Sequence, residues 1–361
     1  MNSASQASPL LKSRKEVPAL TGLRGIGAIW VVAFHMDRIG EIFPFRYGYL
    51  GVDIFFILSG YILAYRYSAE LRHFSIAGYG NFLWARIARI YPLHLVMLCV
   101  LGVLVLTLPG FASRYPMAEA RFSPSCFAAS AMLVQNWAHW LPTCWNGPSW
   151  SLSAEWFAYL AFPVFLAFTQ PWRSGRIPFL LAIAAVLAFG GVLALAGVSS
   201  IGVTGTLGMV RMASEFGAGC LLFRAQANGF SLRPNIRDCL VALLLGVGLL
   251  VPGAMILVLP SCILMVLAAA QGGGLLAPIL GSRPIHFLGE ISYSIYLVHW
   301  IVLQFSTWLL GYGPPSELAI RDVGLVVVIL VLSYVSYHVI EQPGRAWARR
   351  IGQRRAAIAR T

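Results

Sequence analysis

From Pro18 to Glu341 the chain is a succession of apolar runs, most about twenty residues long, separated by short stretches of Gly, Pro, Ser and Arg. A helix of that length matches the hydrocarbon thickness of a bilayer. Inside lipid, only helices and closed barrels satisfy their own backbone groups. Composition agrees: 11% of the residues are charged, against about 25% in a soluble domain. The sequence therefore predicts an all-α, polytopic membrane protein of about ten transmembrane helices, with no second, soluble domain. The expected spans are about 18–37, 48–66, 86–108, 149–169, 178–197, 204–223, 239–251, 254–271, 286–309 and 319–341. They divide the chain into a cytoplasmic tail (1–17), a transmembrane domain (18–342) and a basic cytoplasmic tail (343–361). The first residues are polar and basic, so no cleavable signal peptide is expected.

The net charge is +13, and it is unevenly placed. This topology puts Arg66, Arg86, Arg89, Arg173, Arg176, Arg224, Arg233, Arg283, Arg345 and most other cations on one side. Arg38, Arg46, Arg114, Arg121 and Arg321 fall on the other. Such a bias sets both termini in the cytoplasm of a bacterial cell with an inner, anionic leaflet. The basic balance thus reflects membrane lipids and orientation, and nucleic acid is excluded as a partner. A long outer region, 109–148, is rich in Pro, Ser and Trp, and its apolar stretch 126–137 is too short to span. The six cysteines show no metal-ligand spacing, so no metal is expected. Cys126 and Cys144 both fall in the outer region and can pair in an oxidising compartment. No internal repeat is visible, which removes the inverted-repeat signature of secondary transporters.

Several polar groups do not belong in lipid, where ionisable residues are costly and mark sites. Arg24 and His35 are eleven residues apart, almost three helical turns, so both face one side of the first span. The rise between them is about 16 Å. Asp53 lies in the second span, where it can pair with an arginine or orient His35 from behind. Arg86 and Arg89 share a helix face, as a phosphate clamp or as part of the ordinary positive-inside cluster. Glu155 sits in the run NGPSWSLSAEWFAY beside Trp150, Ser151 and Trp156. Aromatics beside a carboxylate suit a sugar, and tryptophan also anchors at membrane interfaces. Arg211 and Glu215, four apart, read mainly as a structural pair, and Gly51 and Gly60 as sites of close helix approach. Tyr293, Tyr296 and His299 make the ninth span unusually polar.

Taken in order, these stretches resemble the membrane family called acyltransferase 3. The matching motifs are LTGLRGIGAIWVVAFH with Arg24 and His35, GVDIFFILSGYIL with Asp53 and Ser59, and RIARIYPLH with Arg86 and Arg89. They continue with PSWSLSAEWFAYL, LGEISYSIYLVH and the closing EQP of residues 341–343, so the resemblance runs from Leu20 to Arg345. Lacking an appended domain, the chain is expected to be a stand-alone member. The resemblance implies O-acylation of a cell-surface polysaccharide, exopolysaccharide or lipopolysaccharide, with acyl-CoA, usually acetyl-CoA, as donor from the cytoplasm.

On that reading His35 is the base, with Arg24, Asp53 and Glu155 as further catalytic residues. Arg86, Arg89 and Arg24 hold the donor. Trp150, Ser151, Tyr293 and His299 meet a lipid-linked or nascent polysaccharide that enters from the outer side. The alternative is a proton-coupled transporter or flippase of a glycan or lipid-linked precursor, with Arg24, His35 and Asp53 as a proton relay. A scaffold without catalysis, or a longer or succinyl donor, are further options.

Overall fold

The structure is a computed structural model and describes residues 16–71, 74–137, 143–311 and 315–358. Residues 1–15 of the expected tail, the cytoplasmic pair Arg72 and His73, and the last three residues lie outside the described residues. Every element among the described residues is helical. In chain order the helices are α1 (Pro18–Phe34), α2 (Gly51–Tyr67), α3 (Ile76–Thr107), α4 (Ala118–Arg121), α5 (Pro124–Ala131), α6 (Trp150–Thr169), α7 (Arg176–Leu195) and α8 (Gly205–Ala227). They continue as α9 (Pro234–Leu250), α10 (Val258–Gln271), α11 (Leu276–Leu280), α12 (Arg283–Glu290), α13 (Ser292–Leu310), α14 (Pro315–Ser336) and α15 (Gln342–Ile358).

Six helical segments among the described residues are long and apolar enough to cross a membrane: 45–67, 76–107, 147–169, 176–195, 292–310 and 317–352. Two shorter apolar helices, 18–34 and 255–271, join them. Large apolar side chains point outward from these elements, among them Leu106 at 84% and Leu195 at 92% exposure. In a polytopic bundle this is the surface that lipid covers.

Three boundaries differ from the sequence reading, each for a local reason. Helix α3 starts ten residues before Arg86, because Ser75 caps it by accepting the backbone N–H of Gly78 at 3.1 Å. Arg86 and Arg89 therefore sit well inside a 32-residue helix rather than at its entrance. The ninth span is two helices, broken at Ile291 between α12 and α13. Gly289 and Ser292 flank the break, and the Ser292 hydroxyl donates to the Gly289 carbonyl at 2.8 Å. The last span does not end at Glu341: a π-helical turn over Tyr337–Glu341 leads directly into α15. Pro343 is tolerated there because it stands in the first turn of α15, where a missing N–H costs little.

Helix pairs at the centre meet backbone to backbone. A Cβ placed on Gly60 of α2 would fall 2.0 Å from the Phe216 carbonyl oxygen of α8, and one on Gly219 would fall 2.1 Å from that of Ile57. The reciprocity means that α2 and α8 touch through small residues, as helices do where lipid offers no hydrophobic drive to associate. Helices α1 and α12 do the same: a Cβ on Gly289 would lie 1.9 Å from the Thr21 carbonyl oxygen. Gly60→Leu should therefore separate α2 from α8, destabilising the protein by at least the about 1–3 kcal/mol typical of overpacking. The check is the thermal unfolding midpoint of the purified protein in detergent, with Gly80→Leu, which meets nothing within 4 Å, as the control expected to stay near wild type.

Candidate active site

Tyr296 lines two neighbouring cavities among the described residues of the bundle. The first, about 1250 Å³ with its open mouth included, is walled by α1, α2, α3, α6 and α13. It gathers four arginines, Arg24, Arg66, Arg86 and Arg89, with Glu16 at the rim and Glu155 further in. Helix geometry explains the convergence, since Arg86 and Arg89 are one turn apart on α3. Arg86 is steadied by the Tyr67 hydroxyl at 3.0 Å, and its Cζ stands 5.3 Å from the Tyr67 ring centroid. Arg24 has only a long contact, 3.4 Å, to the Thr21 hydroxyl. Among the described residues, the Nε groups of Arg24 and Arg86 are buried without a partner. Cations held this way are under-satisfied and ready for an anionic ligand. Glu16 accepts from the Thr21 hydroxyl at 2.7 Å, which holds its carboxyl below the usual carboxylate range.

The second cavity, about 970 Å³, contains His35, Trp150, Arg121, Arg211 and Trp300. His35 caps the end of α1, and its Nδ1 is 2.9 Å from the Val31 carbonyl oxygen. A carbonyl can only accept, so Nδ1 carries the hydrogen, and in the neutral ring Nε2 keeps the lone pair of a base. Trp300 packs edge-on against the imidazole, with centroids 5.3 Å apart.

Between the cavities stands the Tyr296 phenol. Its hydroxyl is 2.7 Å from Ser151 Oγ and donates to the Pro148 carbonyl at 2.9 Å. Trp150 and Ser151 are consecutive, yet Trp150 lines the His35 cavity and Ser151 the arginine cavity. The start of α6 thus forms part of the partition.

The sequence-predicted residues divide between these places. Arg24, Arg86, Arg89, Glu155, Ser151 and Tyr293 line the arginine cavity, while His35 and Trp150 line the other. Four of these side chains have partners within the bundle. Asp53 takes the arginine of its two expected partners: it is fully buried and paired with Arg211, whose Nε donates to it at 2.9 Å and whose second nitrogen makes another bond, so it does not orient His35. Glu155 is not on the His35 side: it accepts from the Ser59 hydroxyl at 2.6 Å among the arginines. Tyr293, expected to meet the acceptor, lines the arginine cavity and donates to the Ile90 backbone carbonyl. His299 is wholly buried behind His35, with ring centroids 5.2 Å apart, and its Nδ1 faces the Ile295 carbonyl oxygen at 3.2 Å.

Arg66, Arg121, Tyr296 and Trp300 were not singled out as site residues by sequence reasoning. The first two read as ordinary members of the topological charge bias, Tyr296 stood out only as part of an unusually polar span, and nothing local distinguished Trp300. Cys126 and Cys144 do pair, with Cα atoms 5.3 Å apart, which ties α5 to the segment leading into α6.

A family profile described as "Acyltransferase domain" matches residues 17–338. Acyltransferase MdmB of Streptomyces mycarofaciens is 29% identical, over 94% of this chain and 93% of its own. Peptidoglycan O-acetyltransferase OatA of Listeria monocytogenes is 25% identical over 92% of this chain and 56% of its own. O-acetyltransferase OatA of Staphylococcus aureus is 23% identical over 92% of this chain and 58% of its own. The chain thus spans little more than half the length of those two relatives and nearly all of the first. No solved structure matches the chain.

Asp53 is expected to act on stability. Neutralising one partner of a buried ion pair costs about 3–5 kcal/mol where the other charge is left uncompensated, and here Glu215, 3.6 Å from the Arg211 guanidinium, offsets part of that loss. Asp53→Asn should lower the unfolding midpoint sharply. Asp53→Leu combined with Arg211→Met should be milder than Asp53→Asn alone, and equal losses in both would remove the ion pair as the cause.

Proposed function

This chain belongs to the acyltransferase-domain family, and from that premise we propose that it is a membrane O-acyltransferase. It moves an acyl group, most simply acetyl, from acyl-CoA to a hydroxyl of a cell-surface or exopolysaccharide sugar. The observation that carries the reading is the two-ended site. One helix, α1, bears Arg24 in an arginine-lined cavity and His35 in a second cavity about 16 Å further along, and the two cavities meet at Tyr296.

The arginine cavity suits the donor. Coenzyme A carries a diphosphate and a ribose phosphate, and Arg24, Arg66, Arg86 and Arg89 present the planar forks that bind phosphate bidentately. The extended arm of the donor then brings its thioester toward Tyr296. The acceptor hydroxyl lies beside His35. As its oxygen attacks the thioester carbon, Nε2 of His35 takes the hydroxyl proton. The new C–O ester bond forms, the C–S bond breaks, and the departing thiolate takes back from the His35 imidazolium the proton that the hydroxyl gave up. The charge developing on the thioester oxygen needs a donor, and the Tyr296 hydroxyl at the junction supplies it by turning its one hydrogen away from the Pro148 carbonyl, to which the Ser151 hydroxyl also donates, at 3.1 Å. His299, packed on the far side of the His35 ring, holds the imidazole in position.

Three features support the orientation with the arginine mouth in the cytoplasm of a bacterial cell. The charge bias places most cations on that side. Acyl-CoA is made in the cytoplasm. The Cys126–Cys144 disulfide lies at the opposite end, next to Gly147 of the His35 cavity, and disulfides persist in oxidising compartments. Two relatives named for O-acetyl transfer, one of them to peptidoglycan, support a glycan hydroxyl as acceptor.

The test is acetyl transfer from radiolabelled acetyl-CoA to a cell-envelope glycan extract by protein in nanodiscs. His35→Gln should lower kcat by about 10²–10⁴-fold, the usual worth of a general base, and leave acetyl-CoA binding intact. Arg89→Gln should instead raise the donor KM about tenfold, the scale of one lost charge-assisted contact. Glycan movement across the membrane without acyl-CoA consumption would replace this reading with transport.

A further inference from the structure

Arg121 is a cation that the donor chemistry does not use. It ends α4 in the region that leads to α6, and it is only 9% exposed. It is clamped in place: its guanidinium donates to the Trp145 carbonyl at 3.1 Å, and the Trp145 backbone N–H donates to the Arg121 carbonyl at 3.3 Å. The disulfide between Cys126 and Cys144 staples the same two stretches. The guanidinium carbon stands 4.7 Å from the Tyr115 ring centroid and 5.7 Å from that of Phe122. Aromatic faces stabilise a cation but accept none of its in-plane N–H bonds. Among the described residues its Nε is buried without a partner and no ion pair includes it. Burial pushes the group below the usual arginine value, yet it remains a cation at neutral pH. A buried cation without a counter-charge is expensive to keep.

The cavity gives this charge a direction. Arg121 lines the same cavity as His35. Gly147 lies between them: a Cβ there would meet an Arg121 terminal nitrogen and Trp300 Cζ2, each at 3.3 Å. Trp300 in turn packs against His35, and its Nε1 is a second buried donor without a partner. Among the described residues, no acidic side chain lines this cavity. Its other arginine, Arg211, is already taken by Asp53 and by the Tyr49 carbonyl at 3.1 Å.

We propose that Arg121 forms an anion subsite in the His35 cavity and takes an oxyanion carried by the acceptor: the carboxylate of an acidic sugar or the diphosphate of a lipid carrier. The subsite deepens the O-acyltransferase reading and rests on it for the identity of the ligand as acceptor. A planar fork binds either oxyanion. An acid held at Arg121, along one wall from His35, fixes which hydroxyl of the acceptor reaches the base. Arg121 is thus a specificity residue for the acceptor.

The test begins with binding, which needs no turnover. Full-length protein in phosphatidylcholine nanodiscs is titrated at constant ionic strength with sodium glucuronate, glucose and inorganic pyrophosphate, following the fluorescence of its tryptophans. Wild type should respond saturably to at least one of the two anions and not to glucose. Arg121→Gln should weaken the response about tenfold, and Arg121→Lys, which keeps the charge and loses the fork, should fall between. An Arg121-dependent response to glucuronate assigns an acidic sugar, and one to pyrophosphate alone assigns the carrier diphosphate. No saturable response, an equal response to glucose, or a response unchanged in both variants overturns the subsite. Acetyl transfer to a glucuronate-containing oligosaccharide and to its carboxyl-reduced counterpart is then compared. Arg121-dependent binding with no transfer to any acceptor keeps the anion subsite and removes the acyltransferase reading. Transfer indifferent to acceptor charge, with no Arg121-dependent binding, does the reverse.

Discussion

An arginine buried at the centre of a bundle must find its counter-charge within the protein, and the Arg211–Asp53 pair organises what surrounds it. Arg211 on α8 is 1% exposed and Asp53 on α2 is fully buried. The pair forms only because Gly60 and Gly219 let the two helices meet at backbone distance. Glu215, one turn along α8, adds a second acid 3.6 Å from the guanidinium. In a low-dielectric interior such contacts are strong, and their loss is correspondingly severe. With α2 pinned, Val52 faces the His35 cavity while Phe55, Phe56 and Ser59 face the arginine cavity. The ion pair therefore sets the floor of one cavity and the wall of the other.

Helix α1 then connects the two ends. Its seventeen residues carry no cation other than Arg24, and His35 follows as its cap. Gly289 against Thr21, on the other flank, brings α12 close enough for α13 to continue alongside α1. The break at Ile291 redirects the chain so that Tyr296 reaches the partition and His299 backs His35.

Much of this was legible in the sequence, and what was not has identifiable causes. Apolar length announced the spans because lipid leaves few alternatives to a helix. The spacing of Arg24 and His35, and of Arg86 and Arg89, predicted shared faces because helical period is local. Asp53 was ambiguous because its partner lies 158 positions away, and no local pattern chooses between Arg211 and His35. The cavity that Glu155 lines was not legible because its position depends on how α6 packs against α2, where Ser59 meets it. The early start of α3 was hidden because Ile76–Trp84 mixes Gly, Asn and aromatics, a pattern that resembles a loop until Ser75 is seen to cap it. Arg66 and Arg121 were lost in the charge count, since a topological bias and a binding site use the same residue type.

The two cavities differ in construction, and that difference bears on what each recognises. The arginine cavity is walled by side chains from long helices, whose relative positions are fixed over their whole length by packing. The His35 cavity takes a large part of its lining from outside the long helices: Arg121, Thr143, Gly147, Ser200, Gly202 and Thr204. Connecting segments tolerate substitution and insertion far better than packed helices do, and a scaffold that varies its ligands does so there. On the proposed assignment, the donor meets one rigid, cationic cavity, and the acceptor meets a wall that can be rebuilt without disturbing α1, α2 or α8. The disulfide between Cys126 and Cys144 reconciles the two demands, because it gives an irregular segment the stiffness a specific site requires while leaving its sequence free to change.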